Sequence, residues 1–111
     1  MTRTETLKAI EDQWRSHCAI PFPEGVAGDE VSGICLVSLD TYAAGCIQTY
    51  LECAGALDHN RLRVLESCTQ DLAIVVPELT GDARDYFSRL EKLARLVLQS
   101  VRDRGIEGRI G

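Results

Sequence analysis

The residues able to do chemistry in this 111-residue chain are few and scattered. His17, Cys18, Asp40, Asp58, His59 and Cys68 are the candidates for metal ligation. A zinc site is usually announced by a tight pair such as Cys-x2-Cys. No such pair occurs. His17 and Cys18 are adjacent, and successive helical residues point about 100° apart. A helix-end histidine beside a small apolar thiol is the simpler reading, so no metal and no cofactor are expected.

The remaining cysteines fit packing better than redox chemistry. Cys46 and Cys53 are seven apart, and Cys35 lies eleven before Cys46, which puts all three near one helical face. Buried free cysteine behaves as a small hydrophobe. A redox switch needs a lowered thiol pKa, and no basic residue in this segment supplies one.

Asp40 is the most informative single residue. It lies in the most apolar stretch of the chain, Ile34 to Ala56, beside Leu36, Ala43 and Ile47 in helical spacing. An unpaired carboxylate there would be costly. It must pair with an arginine, cap a helix or face a pocket. Tyr42 and Tyr50 could bring hydroxyls to such a network. Asp40, Tyr42 and His59 therefore form the candidate polar site.

Asp58-His59 resembles half of a catalytic triad only on paper, because adjacent residues rarely orient one another. Helix capping explains Asp58 more simply. Gly25, Gly28 and Asp29 are too sparse for a phosphate cradle. With no catalytic constellation, a role other than an enzyme's is expected.

The net charge is -5, and residues 34–57 carry only Asp40 and Glu52. No basic run could neutralise a phosphate backbone, which disfavours nucleic acid and anionic membrane surfaces as partners. The first ten residues carry Arg3, Glu5 and Lys8, unlike a secretory signal. The stretch 34–56 is interrupted by Asp40, Gln48 and Glu52, so it is a poor membrane span. Five widely spaced cysteines fit a reducing, cytoplasmic setting.

Four helices can be read along the chain. The first runs from about Thr4 to Cys18. Thr2 and Glu5 have capping-box spacing, which would move the start to Thr2. Pro21 and Pro23 close it and open a linker over 19–30. The second element reads best as one helix from Val31 to Ala54, weakened by Gly33 and Gly45. The alternative is a strand over 34–39, with Asp40 capping a helix from Thr41. The third helix covers about His59 to Val76, ahead of Pro77. The fourth runs from about Ala83 to Arg102, with the stripe Tyr86, Leu90, Leu93, Val97 and Val101.

These elements predict an all-α fold: a small four-helix bundle-like domain over residues 1–105, with an irregular or strand-like segment at 34–39 as the variant. Residues 106–111 contain Ile-Glu-Gly-Arg, which reads as a protease-cleavage linker remnant.

At this size, burial and ordering entropy nearly cancel, so self-association is a reasonable way to bury more surface. The expected function is a protein-interaction or regulatory module, homodimeric or bound to another protein. Trp14, Phe22, Tyr86 and Phe87 are the expected interface anchors. The alternative is a helical protein that binds a small ligand or a metal, including an enzyme.

Overall fold

The computed structural model describes residues 2–26 and 28–110, with side chains through Asp103. Four helices and one small hairpin make up the fold. Helix α1 spans Arg3–Cys18. Strands β1 (Glu30–Val31) and β2 (Ile34–Cys35) pair antiparallel and lead directly into α2, Leu36–Glu52. Helix α3 spans His59–Val75, a short 3-10 turn covers Val76–Glu78, and α4 spans Gly81–Ile110.

The helix starts follow from local chemistry. The Thr2 hydroxyl accepts the Glu5 N–H at 3.2 Å, which places the α1 cap at Thr2. Asp58 caps α3 by accepting the Arg61 N–H, and the Arg61 guanidinium closes on the same carboxylate at 2.7 Å. Pro77 ends the α-helical ladder and is accommodated in the 3-10 turn.

The continuous helix expected from Val31 is corrected by a hairpin. Ser32 and Gly33 both have positive φ, 53° and 80°, the pattern of a two-residue turn whose twist matches antiparallel strands. Glu30 pairs with Cys35 and Val31 with Ile34. The Leu36 N–H then donates to the Asp29 carbonyl at 3.1 Å. The strand is also shorter than the alternative reading: it stops at Cys35, and Asp40 sits in the second turn of α2 instead of capping it. Period-3.6 spacing in a uniformly apolar run could not separate these cases, whereas the Ser-Gly turn could.

Helix α4 is the hub, because it packs against α1, α2 and α3. Helices α2 and α3 also pack on each other, while α1 leans mainly on α4. The core between them holds Leu39, Ala43, Ile47 and Tyr50 of α2, Leu65 and Leu72 of α3, and Phe87, Leu90, Ala94 and Val97 of α4. The Tyr50 hydroxyl reaches Ser100 Oγ at 2.7 Å, so the polar tip of a fully buried ring is satisfied. The linker after α1 lays Phe22 against Tyr86 and Phe87, with Pro23 buried beside it.

The fourth helix outruns its expected end at Arg102 and continues to Ile110. No proline interrupts it, and Gly105 and Gly108 do not break the backbone ladder. The side chains of the segment read as a linker remnant, 106–111, lie outside the described residues.

Candidate functional site

The polar cluster of the fold assembles where α1, α2 and α4 meet. Its central bond runs from the Tyr86 hydroxyl to Asp40 Oδ1, 2.7 Å long. Tyr86 is buried and Asp40 half-buried. Burial first, and then the hydrogen bond and the nearby Asp40 charge, raise the Tyr86 pKa well above the ordinary phenol value. The phenol therefore stays protonated and donates.

His17, the last residue but one of α1, completes the cluster. The residue is only 4% exposed, and neither ring nitrogen has a hydrogen-bond partner among the described residues. The ring lies between aromatic neighbours: Trp14 stacks at 6.0 Å between centroids, and Tyr86 sits tilted at 4.5 Å. Desolvation lowers its pKa, Asp40 opposes that shift, and Arg89 adds to it. The imidazole is held neutral near pH 7. The Arg89 Nε is likewise buried without a partner. Arg89 stands between two clefts. One, with His17, Lys92 and Leu93, has a volume of about 360 Å³. The other is a wider hollow of about 820 Å³ under the linker, where Phe22 and Tyr86 also contribute.

The expected polar site of Asp40, Tyr42 and His59 does not come together. Asp40 bonds to Tyr86, not to a residue of its own helix. Tyr42 is 60% exposed on the outer side of α2. His59 is exposed at the start of α3, where its Nε2 accepts from Arg63 Nε at 3.1 Å. Among the expected interface anchors, Phe87 has no exposed surface and Tyr86 is buried, so both serve the interior. Trp14 and Phe22 are half-buried and pack against the core.

The outer face of α2 is the second notable surface. Its exposed residues from Val37 to Gln48 are Val37, Ser38, Thr41, Tyr42, Gly45 and Gln48, with no charge among them. Val37 is 41% exposed, and Val64 of α3, 40% exposed, shares with Tyr42 the groove between the two helices. A Cβ at Gly45 would meet nothing within 4 Å.

Cys35 occupies a position that the sequence reading missed. It is the N-cap of α2, half-buried, and its thiolate would accept from the Ser38 hydroxyl and backbone, which lowers its pKa. Cys46 and Cys68 are buried, and desolvation raises both, Cys68 to about 11. The lowering influence is the Ser38 hydroxyl first and the first-turn backbone N–H groups after it, and not a basic side chain. It was invisible while Cys35 was placed mid-helix.

Among the described residues, no group of three or more His, Cys, Asp or Glu side chains is placed to hold a metal ion. No described helix is long and apolar enough to cross a membrane. No protein-family model, curated protein or solved structure matches the chain.

Proposed function

We propose that this domain is a non-catalytic interaction module that pairs with a second copy of itself through the outer face of α2. The observation that carries this reading is the uncharged, tyrosine-bearing face from Val37 to Gln48 on a protein of net charge -5. Two like-charged copies repel unless they meet where neither carries charge. Interface cores are depleted in charge and enriched in tyrosine. Gly45 lies near the middle of the exposed arc and would let two helices approach closely. In a two-fold arrangement the same patch serves both copies.

Sedimentation across a concentration series tests this. The wild type is expected to sediment as a dimer, and Tyr42→Arg and Gly45→Arg to shift it to monomer. Ile74→Arg, at another exposed apolar position on α3, is the control and should not. A wild type that stays monomeric at about 100 µM, well above the range of a useful dimer, would sink the proposal.

A further inference from the structure

The geometry points to a small-molecule site in the cleft between α1 and α4: we propose that it binds a small organic carboxylate, held by Arg89 Nε–H and a ring N–H of His17. This rests on observations independent of the α2 face.

Three buried side-chain polar atoms lack a partner among the described residues: both ring nitrogens of His17, and Arg89 Nε. Native proteins seldom leave such atoms unpaired, and a cluster of them calls for an explanation. Here they belong to two residues that line one cleft. Its volume of about 360 Å³ lies within the range of small-molecule sites.

The chemistry of the lining selects the ligand. Arg89 can only donate, and a neutral imidazole donates through one nitrogen. Two donor residues lining one cleft suit the two oxygens of a carboxylate. Arg89 and Lys92 outweigh Asp12 by one positive charge, which suits a monoanion better than a phosphate dianion. Arg89 forms no salt bridge among the described residues, so its charge is available to a ligand. Leu93 offers an apolar wall to the body of an organic acid. A cation would meet two positive side chains and no orphaned acceptor except one imidazole nitrogen.

The test follows the imidazole nitrogens of His17 and the Nε–H of Arg89 by NMR during titration with benzoate, acetate and inorganic phosphate. Saturable shifts at both groups are expected with benzoate, half-complete below about 1 mM. Arg89→Gln is expected to weaken benzoate binding by about tenfold or more. No saturable His17 shift with either carboxylate at about 10 mM would overturn the site. A response to phosphate alone would overturn the ligand class. Equal benzoate affinity in a folded Arg89→Gln variant would overturn the geometry. Should that variant not fold, Lys92→Gln at an exposed position decides the question. Weakened benzoate binding there supports the site, and unchanged binding overturns it.

Discussion

The Tyr86 hydroxyl donates to Asp40 Oδ1 across 2.7 Å and ties the second turn of α4 to the second turn of α2. The bond resolves the cost of an acid at the edge of an apolar helix, because the donor arrives from another element already buried in the core. Tyr86→Phe keeps the ring and removes the donor. The variant is expected to lose about 0.5–1.5 kcal/mol, since the half-buried Asp40 loses its donor but keeps some access to water. Urea unfolding should show a lower midpoint at unchanged slope. An unchanged midpoint would mean that the bond contributes nothing to stability.

His17 should make stability depend on pH. Its folded pKa lies below the ordinary value of 6.5. The unfolded chain therefore takes up the proton more readily. The stabilisation is fully present above pH 6.5, declines as pH falls toward the folded pKa, and levels off below it. Replacing the ring by His17→Phe should flatten this slope. The check is a comparison of wild-type and variant thermal midpoints at several pH values. Parallel curves for the two proteins would count against a neutral, desolvated His17.

The thiols should react in a defined order. Cys35, half-buried with a lowered pKa, is expected to alkylate faster than Cys46 and Cys68, whose thiols are buried and held protonated. Timed iodoacetamide labelling followed by peptide mass spectrometry reads this directly. Labelling of Cys68 ahead of Cys35 in native protein would contradict the described burial.

Gly45 lets the stability of the subunit be tested apart from the proposed pairing. It lies within α2 with open space around its missing side chain. Gly45→Ala is expected to stabilise the folded subunit by about 0.8–1 kcal/mol, because alanine loses less backbone freedom in a helix. Measured at a concentration where the variant is monomeric, a loss of stability would show that something occupies that space.

The sequence was most legible where periodicity and capping agreed. Thr2, Asp58 and the apolar stripe of α4 placed the starts of their helices closely, because each rests on interactions within a few residues. The segment 31–39 was less legible, since a run apolar on every side carries no period. Its deciding signal is the Ser32–Gly33 dipeptide, of which Gly33 alone entered the reading, as a weakness in a helix. The polar cluster was half legible. Asp40 announced that it needed a partner, but Tyr86 lies 46 positions away, on a helix whose stripe gives no sign of which ring turns its hydroxyl toward α2. His17 was read as a helix-end residue. Only the closure of α1 onto α4 reveals that its ring is enclosed with both nitrogens unpaired.

Because α1 leans mainly on α4, while α2, α3 and α4 all touch one another, the molecule has one detachable edge. A helix held mainly by one neighbour can lift away while the other three keep their shared interior. Amide exchange is therefore expected to be faster along α1 than in the buried middle of α4. In such an opening His17 would reach water before any residue of the central core, so the cluster at the helix junction is also the seam along which the protein first comes apart.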